Sequence, residues 1–236
     1  MAQMKTPGVY IIEKNAFPNS VVEVATAIPA FIGHTQFARD GNKDLTGIPF
    51  RISSMAEFHS FFGFAPTLRF GIRPEDSESE DTTNDINVLF PDGSCQLTLP
   101  KTFYALYYNM LLFYANGGGP CYIVSVGDYE HDFKSIDFTN ALLALKKEQE
   151  PTLVVVPEAV YMEEGDCYQV QTAALMHCGN DMKNRFAILD VFNGYKDENG
   201  AVIKIFRENI GSNFLAYFAS YYPWINTSIV TEKDIT

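Results

Sequence analysis

From about residue 103 onward, segments with helical spacing of apolar residues alternate with short runs that are almost entirely apolar. The clearest of these runs are YIVSV, LVVV and FAILDV. Continuous apolar runs of this length are typical of parallel strands that are covered on both faces of a sheet. The alternation therefore predicts an α/β fold with a doubly wound, mostly parallel sheet, right-handed crossovers and helices on both faces.

Four helices are expected in this part of the chain. The first starts near residue 101 and stops at Asn116-Gly117, and the others are expected at 137–151, 167–182 and 206–222. In the second helix, Ala141, Leu142 and Leu145 should form the inner face. In the fourth, three apolar residues recur every four positions and should share one face, namely Ile210, Phe214 and Phe218. A last strand is expected at 223–230.

The first hundred residues predict an arm joined to the core. Residues 1–26 form an N-terminal arm with a first strand, and 27–236 form the α/β domain. The run AIPAFIGHT, residues 27–35, is typical of a buried strand. Ser54 and Glu57 have capping-box spacing before a helix, which Gly63 should end. Residues 69–99 are expected as an insertion, with loop over 64–85 and a hairpin over 86–99 that turns at Asp92-Gly93.

The charge of the chain narrows the choice of partners. The net charge is −12, which disfavours nucleic acid and anionic membranes. Residues 74–85 carry six carboxylates and no basic residue, so they should form a solvated loop. No apolar run approaches the roughly 18 residues of a spanning helix, which argues against membrane insertion.

The cysteines favour a protein made in a reducing compartment. The four cysteines have no CxxC spacing, and the N-terminus lacks the pattern of a signal peptide. Reduced thiols are therefore expected. His177 and Cys178 are adjacent, but a zinc site needs further ligands in short pairs. No metal and no cofactor are expected.

A glycine-rich loop, NGGG, invites comparison with phosphate-binding loops. Such loops follow a strand and open a helix, whereas Gly117, Gly118 and Gly119 follow a helix and precede a strand. A tight structural turn is the favoured interpretation.

Other residue types that catalyse reactions are present without a convincing arrangement. Asp190 ends an apolar strand, where α/β enzymes place functional groups, but one Asp is a weak signal. Glu163, Glu164 and Asp166 precede the third helix and suit its dipole. Asp128 is a further carboxylate, and the four histidines lie in unrelated sequence contexts without a GxSxG motif, at His34, His59, His131 and His177. The sequence therefore predicts no enzyme.

The N-terminal arm is the most distinctive feature. The β-favouring run Val9, Tyr10, Ile11 and Ile12 follows Pro7-Gly8 and ends in Glu13. It could pair with the sheet edge of another subunit, or it could be a strand of the chain's own sheet. The residues alone leave both readings open.

Seven motifs, in order along the chain, resemble the contractile tail sheath family of phages, phage-tail-like bacteriocins and extracellular contractile injection systems. They are TPGVYIIE (6–13), VATAIPAFIGHT (24–35), PFRISSMAEFHSFFG (49–63), FYANGGGPCYIVSVG (113–127), ALLALKKEQEPTLVVVPEAV (141–160), AALMHCGNDMKNRFAILDV (173–191) and FRENIGSNFLAYFASYYPWINT (206–227).

The resemblance implies a structural, non-enzymatic subunit. Sheath subunits stack as hexameric rings around an inner tube protein, and their contraction drives the tube through a target envelope. The partners implied are other copies of the chain, the tube protein, sheath paralogues and baseplate or cap proteins. The protein would be made in the bacterial cytoplasm and assembled into a tail or tail-like particle.

Carried over to this sequence, the resemblance implies a donor arm that pairs with a neighbouring subunit and a packed turn at Gly117 to Gly119. The arm residues are Pro7, Gly8, Val9, Tyr10, Ile11, Ile12 and Glu13. Sheath proteins normally continue well beyond the segment that matches YYPW, residues 221–224, so the usual C-terminal domain is expected to be missing and the chain to be truncated. Two alternatives stay open: a nucleotide-binding or enzymatic α/β domain that uses the NGGG loop, and a non-contractile tail or baseplate binding module.

Overall fold

The fold is described from a computed structural model of the chain. The description covers residues 27–68, 71–74, 85–90, 93–98, 102–196 and 200–230. The predicted arm, residues 1–26 with Pro7 to Glu13, lies outside the described residues.

The described ranges form strands and helices that alternate along the second half of the chain. The strands are β1 (Pro29–Gly33), β2 (Arg39–Asp40), β3 (Lys43–Asp44), β4 (Phe50–Ile52), β5 (Gly71–Pro74), β6 (Asp85–Phe90), β7 (Gly93–Thr98), β8 (Cys121–Ser125), β9 (Leu153–Val155), β10 (Phe186–Asp190) and β11 (Phe218–Tyr221). The α-helices are α1 (Met55–Phe62), α2 (Leu106–Ala115), α3 (Ser135–Leu145), α4 (Glu164–Met176) and α5 (Ala201–Ile210). Short 3₁₀ turns cover Pro157–Tyr161 and Leu215–Tyr217, and a π-helical turn over His177–Met182 extends α4.

Six strands form the main sheet, in the order β11-β10-β9-β1-β8-β4. Every neighbouring pair is parallel except β4 with β8, which is antiparallel. The run AIPAFIGHT supplies β1, which pairs with β8 on one side and with β9 on the other. The predicted α/β class with a mostly parallel sheet is confirmed.

Helices cover the sheet on both faces. Alternate residues of its strands point to opposite sides, so each face has its own buried cluster. On one side, Ala30 and Ile32 of β1 belong to a buried cluster with the inner residues of α3, α4 and α5. On the other side, Phe31 belongs to a second cluster with residues of α1 and α2. The predicted inner face of α3 is confirmed, since Ala141, Leu142 and Leu145 are buried.

The first helix starts and ends where its sequence signals predict. The hydroxyl of Ser54 accepts a hydrogen bond from the backbone N–H of Glu57 over 3.2 Å. The carboxylate of Glu57 reaches back to the N–H of Ser53 rather than of Ser54, over 2.7 Å. Gly63 follows the last turn at φ 87°, a left-handed conformation that favours glycine.

The predicted helix at 206–222 is wrong. A helix does form, but it starts earlier, at Ala201, and ends at Ile210, because Gly211 adopts φ 74° and donates to Arg207 O as a cap. Phe214 also has a positive φ, and Phe218 opens β11. The last strand predicted at 223–230 is wrong for the same reason, since the edge strand is Phe218–Tyr221.

The insertion forms more sheet than its sequence predicted. The hairpin is confirmed as β6 and β7, but Phe90 pairs with Gly93, so Gly93 belongs to a strand and not to the turn. Part of the predicted loop is also a strand, because β5 pairs antiparallel with β7. Across the ranges described, none of the helices combines the length and the apolar character needed to cross a bilayer.

Candidate functional site

The carboxyl ends of the parallel strands are the first place to look for a site. From β1 the chain passes to β8 on one side of the sheet and later to β9 on the other, so the strand order reverses between β1 and β9. In open α/β sheets, ligands bind beyond the strand ends at such a switch point. Here that position is held by His34, which follows β1, and by Glu158, which follows β9.

His34 and Glu158 form a buried pair across the switch point. Nδ1 of His34 lies 2.8 Å from Oε2 of Glu158, and the backbone N–H of His34 donates to the same oxygen over 2.9 Å. The N–H of Leu106, at the start of α2, donates to Oε1 over 3.3 Å. A Cβ on Gly33 would lie 3.1 Å from Oε1, so glycine is needed for the carboxylate to sit this close to β1.

Aromatic rings surround the pair and keep water out. The imidazole of His34 lies 5.0 Å from the ring of Phe133, 5.3 Å from Tyr104 and 5.7 Å from Phe138, measured between centroids. Burial raises the pKa of the Glu158 carboxyl, and the hydrogen bonds from His34 and Leu106 act against that shift. His34 and Glu158 are 1% and 0% exposed, so neither presents a surface to a substrate. The pair joins β1, β9 and α2 as a polar cross-link.

The pair was not predicted from the sequence, where His34 was one of four unrelated histidines and Glu158 was not a candidate. The sequence does contain a pattern that predicts the contact between His34 and Glu158. Both residues come directly after apolar strand-like runs, and the carboxyl ends of parallel strands meet at one edge of a sheet. Pro157, which starts the 3₁₀ turn after β9, separates Glu158 from the apolar run and obscures that relation.

A groove at the same edge of the sheet contains Asp190, which ends β10. The groove has a volume of about 560 Å³, and its wall includes Asp190, Tyr161, Tyr221 and Trp224. Partial burial raises the pKa of the Asp190 carboxyl, although the residue keeps exposed surface. Its backbone carbonyl accepts from Nε2 of Gln171 over 2.8 Å, which ties the end of β10 to α4.

The indole of Trp224 is fixed against the loop that follows β10. Its Nε1 donates to Val191 O, and its backbone N–H donates to Gly194 O, each over 3.0 Å. A Cβ on Gly194 would lie 2.6 Å from the indole, so glycine is required there. The ring of Trp224 also packs near Tyr161 and Tyr195, at centroid distances of 6.0 and 5.3 Å. Two hydrogen bonds and two ring contacts therefore hold Trp224 in the groove.

The NGGG loop lies at the opposite, amino-terminal edge of the sheet, where α2 ends and β8 begins. Gly118 N–H donates to Phe113 O over 2.9 Å, and Gly117 N–H donates to Tyr114 O over 3.1 Å. With Gly117 at φ 82°, these two bonds form a Schellman motif. A Cβ on Gly118 would lie 2.5 Å from the Phe113 ring, whereas one on Gly119 would contact nothing within 4 Å. The loop ends a helix and leads into a strand.

Of the remaining carboxylates named from the sequence, three lie at the start of α4, and Asp128 lies after β8, near His34. Glu163 is the N-cap residue of α4, and Glu164 and Asp166 occupy its first turn, where acidic groups suit the helix dipole. Asp128 is exposed and lies 2.5 Å from Nδ1 of His131, whose hydrogen bond lowers the pKa of the Asp128 carboxyl.

Two of the histidines named from the sequence are close together, since a Cβ on Gly127 would lie 3.3 Å from the ring of His34 and 3.6 Å from Cβ of His131. Cys121, Cys167 and Cys178 are buried free thiols, and burial raises the pKa of Cys178 to about 12. His177, next to Cys178, bonds to Arg185. In the part of the chain that the structure describes, no three His, Cys, Asp or Glu residues are grouped so that they could hold a metal ion.

No protein-family model matches the chain, and no curated protein matches it.

Proposed function

We propose that this chain is a structural subunit of a contractile sheath, assembled as stacked hexameric rings around an inner tube. The observation that carries the proposal is the set of seven sheath-like motifs, which occur in order along the chain. Contraction of the stack would drive the tube through a target envelope, in a phage tail or a tail-like particle assembled from protein made in the bacterial cytoplasm.

The positions of the motifs in the fold support the proposal. The motif at 24–35 contains β1, the motif at 113–127 contains the end of α2 and all of β8, and the motif at 173–191 contains β10. These strands belong to one sheet. The likeness therefore covers the framework of the domain and not one peripheral loop.

Exposed apolar side chains support a role in assembly. On α3, Ile136 and Leu143 are 56% and 51% exposed and are seven residues apart, so they share one outer face. Near the sheet edge at β11, Leu215 and Tyr221 are 55% and 61% exposed. A subunit packed between neighbours would bury such side chains, since apolar and aromatic residues are enriched in the cores of interfaces.

The chemistry of the switch point supports a non-enzymatic role. His34 and Glu158 hold the position where many α/β enzymes bind ligands, and both side chains are enclosed by the protein. The energy for contraction would then come from the extended lattice of subunits, with no reaction at this position.

Negative-stain electron microscopy of the protein purified from its native particle, or of the product of the full-length gene, tests the proposal. We expect rings and hollow tubes, with an extended form that shortens irreversibly. A monomer by light scattering at high concentration would contradict the sheath and favour a binding module. Micromolar nucleotide binding that is lost in Gly118→Val would instead favour the nucleotide-binding alternative.

A further inference from the structure

We propose that the groove beyond β10 and β11 is a docking site for an arginine side chain carried on a protein segment. The carboxylate of Asp190 and the rings of Tyr161, Tyr221 and Trp224 line this groove. The inference rests on that arrangement alone and holds whether or not the chain is a sheath subunit.

The first argument is the state of the Asp190 carboxylate. Within the ranges described, it accepts no hydrogen bond and forms no ion pair with a basic side chain. Asp190 is exposed, and the protein on its inner side partly desolvates the carboxyl group, which raises its pKa. A cation brought into the groove would stabilise that charge, because opposite charges close together favour ionisation.

The second argument is the aromatic wall. A guanidinium group stacks on indole and phenol rings and donates paired hydrogen bonds to a carboxylate, so a carboxylate among aromatic rings fits arginine better than lysine. Trp224 offers the strongest ring for such a contact, and the residue is already fixed by one hydrogen bond from its indole and one from its backbone N–H. Lys196 lies over the ring of Tyr195, with Nζ 5.8 Å from its centroid, and is not among the residues that line the groove.

The third argument identifies the carrier as a protein segment and not a free small cation. Ile225 and Tyr221 belong to the wall of the groove and are 81% and 61% exposed. A small cation would leave these apolar surfaces in water, whereas the residues that flank an arginine in a peptide would cover them. Arginine, tyrosine and tryptophan are also the residues most enriched where protein interfaces gain most of their affinity.

Trp224 is the only tryptophan of the chain, so its fluorescence reports directly on the groove. We would titrate the whole chain, at low ionic strength, with a short peptide that has one central arginine between leucine and valine residues. The matched control peptide carries citrulline, which keeps the shape of arginine and removes the charge. We expect a saturable change of Trp224 emission with the arginine peptide and at least about tenfold weaker binding of the citrulline peptide.

Two charge-removing variants distinguish binding in the groove from general electrostatic attraction of the peptide. Asp190→Asn should weaken the arginine peptide by at least about tenfold, while Glu208→Gln, which removes an exposed charge from α5 away from the groove, should leave its affinity unchanged. Tyr221→Ala should weaken the peptide and leave any binding of free arginine amide unaffected. Circular dichroism melting curves show whether each variant is folded, and Tyr221→Ala tests the groove if the amide variant is not.

Several results would overturn the proposal. One is the absence of a saturable emission change up to about 5 mM peptide. Another is equal affinity for the arginine and citrulline peptides. A third is an equal loss of affinity for the arginine peptide in Asp190→Asn and Glu208→Gln. Equal affinity for free arginine amide and for the peptide would show that the groove takes a small cation and would refute the protein segment. None of these results depends on whether the chain forms tubes.

Discussion

Nη1 of Arg185 donates a hydrogen bond to Nε2 of His177 across 2.8 Å, where both residues are buried. Because a guanidinium group has no acceptor, Nε2 of the imidazole must carry its lone pair, and the ring must be neutral. Burial and the charge of Arg185 lower the pKa of His177 to about 4. Arg185 also donates to Leu145 O over 3.0 Å and to Glu148 O, so it caps the end of α3.

Stability should fall as the pH falls from about 6.5 to 4 because of His177. Between these pH values His177 is protonated in the unfolded chain and neutral in the folded chain. The contribution of neutral His177 to the free energy of unfolding is therefore complete above pH 6.5 and is lost as the pH falls to the folded pKa of about 4. The largest loss is about 3 kcal/mol in the free energy of unfolding. Urea unfolding at several pH values measures it.

The variant His177→Gln isolates this contribution from those of the many carboxylates. The amide oxygen of glutamine can accept from Arg185 without titrating. We therefore expect a shallower decline in unfolding free energy between pH 6.5 and 4 in the variant. Parallel pH profiles of the two proteins would show that His177 does not titrate as the buried geometry requires.

Removing the carboxylate at the switch point should be costly, and replacing it by an amide, which keeps one of its two acceptor oxygens, should cost less. In Glu158→Ala, the N–H groups of His34 and Leu106 lose their buried acceptor, so we expect a loss of roughly 3–5 kcal/mol in unfolding free energy. In Glu158→Gln, the amide oxygen can replace Oε2 and accept from the N–H of His34, but the NH₂ group then faces the N–H of Leu106, so we expect a loss smaller than that of alanine. Denaturant titration of both variants gives the comparison, and equal losses would contradict the cross-link.

The two glycines that follow Gly117 should respond differently to alanine. Gly118→Ala places a methyl group against the ring of Phe113, which should cost about 1–3 kcal/mol by overpacking. Gly119→Ala is its matched control, because nothing lies within 4 Å of the added carbon. Its effect should stay within about 0.5 kcal/mol. Thermal unfolding of both proteins distinguishes a packed turn from a loop kept open for a ligand.

Assembly should depend on the N-terminal arm. Deletion of residues 1–14 should abolish tubes while circular dichroism of the α/β domain stays unchanged. Val9→Pro or Ile11→Pro should weaken assembly, because proline removes a backbone donor from a strand pair. Val9→Thr and Ile11→Thr are matched controls that keep the donor and favour strands. Normal tubes from the deleted protein would refute the donor-strand proposal.

The parts of the fold that were predictable are those where local pattern and final burial agree. The runs around Phe31, Ile123 and Ile188 are apolar throughout and became inner or covered strands of the sheet. The runs around Ile123 and Ile188 also follow a helix along the chain, so the α/β order could be predicted there directly. The class follows from this repetition and needed no knowledge of register or strand order.

The failure near the C-terminus has a specific cause. Ile210, Phe214 and Phe218 have helical spacing but serve three different elements. Ile210 is the last residue of α5, the ring of Phe214 packs against Gly179, and Phe218 starts β11. The same four-residue spacing runs upstream through Val202, Phe206 and Ile210, which are the buried residues of α5. Because Gly211 ends the helix with a positive φ, the buried face of the helix lies two four-residue repeats earlier than predicted.

The candidate sites were less predictable than the fold, because they depend on contacts between distant residues. Glu158 meets His34 from 124 positions away in the chain. Asp190 was noted for its position at a strand end, but the rings around it come from segments near residues 161 and 224. Strand order brings these residues together, and strand order could not be read from the local sequence.

The central position of β1 sets the timing of folding during synthesis. β1 is the first of the described strands to be made, yet Ala30 pairs with Tyr122 and with Val154. At roughly 5–20 residues per second, a ribosome needs about 5–20 s to make the chain between β1 and its first partner. Throughout that interval the apolar residues of β1 lack the partner strands β8 and β9. Nascent chains of this protein should therefore depend on chaperones that shield the segment around Phe31 until β8 has emerged.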